Sequence, residues 1–325
     1  MAKSLIVFTA SLTILFFSTG CQPAKPESPE TKTPEPPKVQ PPKLEPPAVE
    51  PPQVEPPKLQ TPEPQPTKPK TPPTVSFHDK CADILKNYVD DKAAVDYKTL
   101  KRKRTELKKL LDEFDNLDPN QYNAWPREDK IAFWINAYNI QMLKIIVDNY
   151  PIKSTRIHRL FWPPNSIRHI KDIWTKYKFI IMDEEFTLLG VERRFFRKEF
   201  NEPRAFFALC NASLSSPPLR NQPYYGSSLD RQLDDQVRRF LSDPQAFQID
   251  RNAKVVHLPA ILQPTWFGGE FISKYGTDKK FKDHPPAVRA VLNFITNYIP
   301  QQDVYFLETE NYAIEYIKYD WVLNE

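Results

Sequence analysis

Few side chains in this 325-residue chain can move a proton or attack a carbonyl carbon near neutral pH. There are five histidines (His78, His158, His169, His257 and His284) and three cysteines (Cys21, Cys81 and Cys210). The histidines show no i,i+4 pair and no Cys/His cluster, so neither a conventional zinc site nor another cofactor is expected. A serine hydroxyl needs a base within hydrogen-bond reach, whereas a thiol is already partly ionised. Ser216 and Cys210 are therefore the candidate nucleophiles, and His257 in the stretch VVHL is the candidate base. Arg193, Arg194 and Arg197 crowd around Glu192 and would make that region attractive to carboxylates. Asn136 and Asn139 stand in an otherwise apolar run. A buried amide without a partner costs a few kcal/mol, so both should bind neighbouring backbone or line a cleft.

Several elements must position these groups. His78–Tyr88 and Tyr97–Leu117 read as helices, the second with a stripe of Leu100, Leu107, Leu110, Leu111 and Phe114 opposite a basic, solvated face. Asp129–Tyr150 reads as a buried central helix, and Arg156–Trp174 as a loop. Tyr177–Met182 reads as a strand turning at Asp183–Glu185, and Leu188–Glu199 as a helix. Arg204–Cys210 fits a second strand or a buried helix end. Leu229–Leu241 and Pro285–Tyr298 are amphipathic helices, and Val255–Leu258 is a short strand. Near the end, Tyr305–Leu307 is expected to pair as a strand with Tyr312–Tyr319. Helices with a few short strands predict an α+β class: a mostly helical single domain with a small, mainly antiparallel sheet.

Composition narrows the partners. Six glycines leave no phosphate-cradling loop or dinucleotide fingerprint, so no nucleotide is expected. A net charge of +4 argues only weakly for an anionic partner, and nucleic acid is not expected. Residues 1–20 read as a signal peptide, with Lys3 followed by an apolar core too short to span a bilayer. Ser18-Thr19-Gly20-Cys21 resembles a lipoprotein cleavage box, which implies lipid on Cys21 and a membrane anchor. Gln22 after it favours the periplasmic face of the outer membrane. Residues 21–74 form a linker holding 20 of the 35 prolines and a five-residue repeat over Pro36–Gln60. Proline blocks helix and sheet, so the linker should be extended and disordered, reaching at most roughly 160 Å. The folded domain then occupies 75–325, where Cys81 and Cys210 are open to pairing or to remaining as two buried thiols.

Three segments carry a family resemblance: KIAFWINAYNIQMLKII (Lys130–Ile146), FTLLGVERRFFRKEFNEPRAFFALCNASLSSPPL (Phe186–Leu219) and YDWVLN (Tyr319–Asn324). Together they resemble the bacterial domain of unknown function 547. The resemblance implies a thiol hydrolase, with a cysteine nucleophile and a histidine oriented by a carboxylate. Its middle motif reads roughly Ile-Glu-His, then Arg-Ile-His-Phe, then Asn-Cys-Ala-Ser-x-Gly-Cys-Pro. Aligned without gaps, this chain keeps Glu192 but has Arg193 and Phe206 for the two histidines, and Asn211 and Ser216 for the two cysteines. Arginine has no acceptor and phenylalanine no lone pair to offer, and Asn211 is not a competent nucleophile. A one-residue shift would return Cys210 to the reactive position. His257 opens a segment, HLPAILQPTWFGGEF, that the family also places near the core. The expected protein is an envelope lipoprotein whose domain has lost catalysis and binds peptides or cell-wall fragments. The alternative is an active hydrolase of short or thiol-containing peptides using Ser216 or Cys210 with His257. On either reading Asn136, Asn139, Arg193 and Asn211 are cleft candidates.

Overall fold

The computed structural model describes residues 76–265 and 269–325. The leader, Cys21, the proline-rich linker and Val75 lie outside the described residues, as do Trp266, Phe267 and Gly268.

Side chains mark where the helices begin. Ser76 caps a 3-10 turn, Phe77–Cys81, through a reciprocal box with Asp79, and the chain continues as α1, Ala82–Tyr88. Asp96 accepts from the Thr99 amide at 2.8 Å at the head of α2, Tyr97–Arg102. The single helix expected over Tyr97–Leu117 is in fact two, because helical geometry lapses at Lys103 before α3, Arg104–Asp115. The break falls within four consecutive cations, Lys101 to Arg104, where like charges crowd one turn. Asp118 then caps the short α4, Pro119–Ala124.

Helix α5, Arg127–Asn149, organises the first core. Every residue from Ile131 to Leu143 is buried, as befits a helix apolar on all sides. Around it pack α1 to α3, the 3-10 turn and the hairpin of β1, Phe179–Ile181, with β2, Glu184–Phe186. That hairpin turns on Met182 and Asp183, both at positive φ (53° and 61°). Such a two-residue mirror-image turn matches the twist of the strands. The turn is therefore one residue earlier than expected, and Glu184 and Glu185 pair within β2. Thr187 caps α6, Leu188–Val191, which passes without interruption into a π-helix over Glu192–Glu199. Arg204–Cys210 contains no strand. Pro203–Phe207 is a 3-10 turn, started by Glu202 accepting from the Arg204 amide.

A second core gathers α7 (Leu229–Leu241), β3 (Gln248–Asp250), β4 (Val255–Leu258), α8 (Gly269–Tyr275), α9 (Pro286–Ile295), α10 (Gln301–Thr309) and β5 (Ala313–Tyr316). Strand β4 pairs antiparallel with β3 and parallel with β5. Tyr305–Leu307 is not a strand: it lies inside α10, where Val304 and Leu307 share one buried helical face and Tyr305 stands exposed. The result is an α+β architecture, largely helical, with two small and mostly antiparallel sheets rather than one.

Between the cores runs Ala208–Tyr225, which is largely buried and almost free of regular structure. Its backbone groups are satisfied mainly by side chains. Asn139 donates to the Ala208 carbonyl and accepts from the Cys210 amide, both at 2.9 Å. One turn earlier, Asn136 makes the same paired contact with Tyr224, again at 2.9 Å on each side. Gln232 of α7 bonds Pro223 and Tyr225, and Gln236 bonds Pro218. The C-terminal segment supplies the rest: Leu214 donates to Val322 at 2.8 Å, and Asn324 donates to Ala212. Asn136 and Asn139 thus bind backbone rather than line a cleft.

Asn136 also fixes a histidine. Because its oxygen accepts from the Tyr224 amide, its nitrogen faces the Nδ1 of His78 at 3.3 Å. Nδ1 is therefore an acceptor, and Nε2 carries the proton toward Asp129, also at 3.3 Å. Burial lowers the His78 pKa below its ordinary value, although Asp129 opposes the shift. The Asp129 carboxylate also accepts from the Gly226 amide at 3.1 Å, and a Cβ at Gly226 would collide with it.

Two outcomes are expected. Asn139→Ala strands two buried backbone groups and should cost about 2–4 kcal/mol in urea unfolding. A loss under about 0.5 kcal/mol would mean the clamp contributes little. For His78 the folded state binds a proton more weakly than the unfolded chain, which takes one up below about pH 6.5. Stability should therefore decline as pH falls through about 6.5 and level off once native His78 also protonates. Unfolding curves between about pH 7.5 and 5.5 should show this decline in the wild type and a shallower one in His78→Gln.

Candidate functional site

A cleft of about 610 Å³ opens between α5, the π-helix, the irregular segment and the C-terminal segment. Glu192, Arg193, Phe206 and Asn211 all line it, whereas Ser216, the fifth position aligned by the sequence motif, does not. Arg168, Tyr138, Trp174, Arg197 and Trp321 complete much of the wall.

The π-helix sets the charge arrangement. Its i→i+5 bonding is visible in the Phe200 amide, which donates to Phe195 at 2.7 Å. The same spacing stacks Glu192 beneath Arg197, whose Nε and Nη2 reach one carboxylate oxygen at 3.0 and 2.6 Å. The Arg197 guanidinium also lies 5.1 Å from the centre of the Phe206 ring. Phe206 thus offers a platform for a cation. Arg193 projects from the same helix into solvent at the cleft, and no carboxylate among the described residues pairs with it. Arg168 is likewise without an anion, and its guanidinium lies between Trp162 and Trp321 at 4.8 and 5.0 Å.

Asn211 is oriented by donors. Tyr138 Oη and Trp174 Nε1 both donate to its Oδ1 at 3.0 Å. An indole N–H can only donate, so the amide oxygen must face the Tyr138 and Trp174 donors. The Asn211 side chain also hydrogen-bonds the Tyr319 hydroxyl. Burial holds the Tyr138 hydroxyl well above its usual pKa, and Tyr138 remains a neutral donor.

The proposed nucleophiles sit elsewhere. Cys210 is buried beneath the cleft, its sulfur accepting from the Ala212 amide at 3.4 Å, Ser216 Oγ at 3.7 Å and Asn324 Nδ2 at 3.8 Å. Burial raises its thiol pKa, and these hydrogen bonds only partly offset the shift. Ser216 is buried too: its Oγ accepts from the Asn211 amide at 2.7 Å and donates to the Pro217 carbonyl at 3.1 Å. His257 lies on β4 in the second core, with Nδ1 3.5 Å from Glu315. Among the described residues no hydrogen bond joins it to Ser216 or Cys210, and no group of three or more His, Cys, Asp or Glu side chains is placed to hold a metal ion. Cys81 and Cys210 are separate free thiols, and burial pushes Cys81 up strongly.

With the cleft's four motif positions in one place, the comparison with known families has a structural meaning. Residues 122–241 match the family described as Protein of unknown function, DUF547. The match covers 120 of the 325 residues, and over that stretch the chain is similar to the family. It runs from α4 to the end of α7 and so includes the π-helix, the irregular segment and most of the cleft. Ile261, Leu262, Phe271 and Trp321 of the wall lie beyond it. No curated protein and no solved structure matches the chain.

Sequence reasoning missed Arg168, Trp174 and Tyr138. Two signals pointed toward them: two tryptophans (Trp162 and Trp174) in a stretch read as loop, and a tyrosine between the two clamp asparagines. The burial of both thiols gives an expected outcome. In protein beginning at Gln22, an aromatic disulfide reagent at neutral pH should leave both nearly untouched until denaturant is added. A fast native-state reaction that disappears in Cys210→Ala would show Cys210 to be a reactive thiol after all.

Proposed function

We propose that this is an envelope lipoprotein whose DUF547 domain binds carboxylate-bearing peptides or cell-wall fragments in the Arg168–Arg193 cleft and has lost thiol hydrolysis. One observation carries the reading. The positions aligned with two histidines and a cysteine of the family motif meet in a single cleft as Arg193, Phe206 and Asn211. Their chemistry there is cation, aromatic platform and neutral amide. This set suits an anion held by charge-assisted hydrogen bonds. None of the three can take a proton from a nucleophile, and Cys210 and Ser216 are both buried. Lipid on Cys21, the outer membrane as location and the linker as an extended spacer belong to the same proposal, supported by the residues 18–22 and the proline repeat.

The test is calorimetric titration of the protein with short peptides ending in a free carboxylate or in an amide. The carboxylate form should bind more tightly, and Arg193→Ala or Arg168→Ala should weaken it about tenfold each, the scale of one charge-assisted hydrogen bond. Indifference to the terminal carboxylate would sink the binding assignment. Peptide turnover abolished by Ser216→Ala or Cys210→Ala would sink the loss of catalysis and restore a hydrolase.

A further inference from the structure

The segment Pro151–Lys171 has no part in the cleft assignment apart from Arg168. It contains Lys153, Arg156, Arg159, Arg168 and Lys171 and no aspartate or glutamate. All five cations are exposed, and among the described residues none pairs with a carboxylate. Ile157, Leu160 and Phe161 stand between them at 68%, 80% and 71% exposure. Soluble surfaces seldom place three large apolar side chains together in the open.

The segment is nonetheless anchored. Ile167, Ile170 and Ile173 are buried in the first core at its base. Its two arms are joined by the stacked rings of His158 and His169, 6.0 Å apart, and by a hydrogen bond from His169 Nε2 to the Pro163 carbonyl at 2.6 Å. Ser166 bridges to Val322 of the C-terminal segment. The apolar tip is therefore held outward by a folded base, with the cations on both arms beside it.

We propose that this loop docks the domain on an anionic phospholipid surface, with Ile157, Leu160 and Phe161 entering the interface and the cations meeting lipid phosphates. Charge complementarity favours a bilayer over a folded protein partner. Five cations without a single carboxylate ask for a surface of one sign, and the apolar tip between them matches the layering of headgroup and acyl chain. Trp162 lies where an amphipathic ring would sit at the headgroup level. Arg168 and Trp321 link this loop to the rim of the cleft, which would then open beside the membrane surface.

The test is vesicle co-sedimentation of protein beginning at Gln22, so that neither leader nor lipid contributes. The protein should sediment with vesicles of phosphatidylglycerol and phosphatidylcholine, much less with phosphatidylcholine alone, and less in high salt. Leu160→Ser with Phe161→Ser should abolish sedimentation while leaving the unfolding midpoint unchanged, since both side chains are already in solvent. Arg156→Gln with Arg159→Gln should weaken it about 25-fold, at about fivefold per cation. Equal binding to both vesicle types, or wild-type binding by the Leu160/Phe161 double variant, overturns the proposal. It is also overturned if the wild type ignores vesicles and the double variant changes only self-association, which would assign the surface to a second copy. Carboxylate binding in the cleft is measured separately and does not depend on the outcome.

Discussion

The fold depends on satisfying the backbone of a buried segment that is neither helix nor strand. From Ala208 to Tyr225 the chain passes between two cores, interrupted by Pro217, Pro218 and Pro223, which cannot donate to any ladder. Regular structure is unavailable there, and buried peptide groups without partners would each cost on the order of 1–3 kcal/mol. The solution is a set of side-chain amides that stand in for a neighbouring strand. Asn136 and Asn139 come from one side, Gln232 and Gln236 from another, and the C-terminal residues close the third. Asn136, Asn139 and Gln232 each use both a donor and an acceptor, as a peptide unit would, whereas Gln236 uses only its donor.

This arrangement also accounts for the cleft. Once Asn139 fixes Cys210, the next side chain, Asn211, is held where Tyr138 and Trp174 can orient it. The sulfur of Cys210 is turned to the interior, where it accepts hydrogen bonds instead of meeting solvent. Trp321 reaches the wall because its neighbours pair with Ser166 and Ser213. The three sequence segments that carry the family resemblance therefore interlock. The helix supplies the clamps, the middle segment is clamped, and the final segment stitches it from the far side.

Much of this was legible in the sequence, though unevenly. The mostly apolar run Ile131–Leu143 announced a buried helix, and two asparagines within it announced polar groups that need partners. Their partners could not be read, since they lie 69 and 88 positions away in a stretch without periodicity. The convergence of Glu192, Arg193, Phe206 and Asn211 followed from the motif alone. The Glu192–Arg197 pair did not, because residues five apart face different directions on an ordinary α-helix. Tyr305–Leu307 misled through its aromatic, β-prone composition, whereas the three-residue spacing of Val304 and Leu307 was the stronger signal. The hairpin turn slipped by one residue because Met182 seldom adopts positive φ, and no composition rule would select it.

The π-helix has a consequence for how this site could change over time. Its wider coil holds more residues per turn than the α-helix that leads into it, and Arg197 faces Glu192 only because of that surplus. Deleting one residue from the stretch would let it tighten to α geometry and rotate everything beyond it, with no substitution at any wall position. The sign and placement of charge in the cleft are thus encoded in length as well as in residue type.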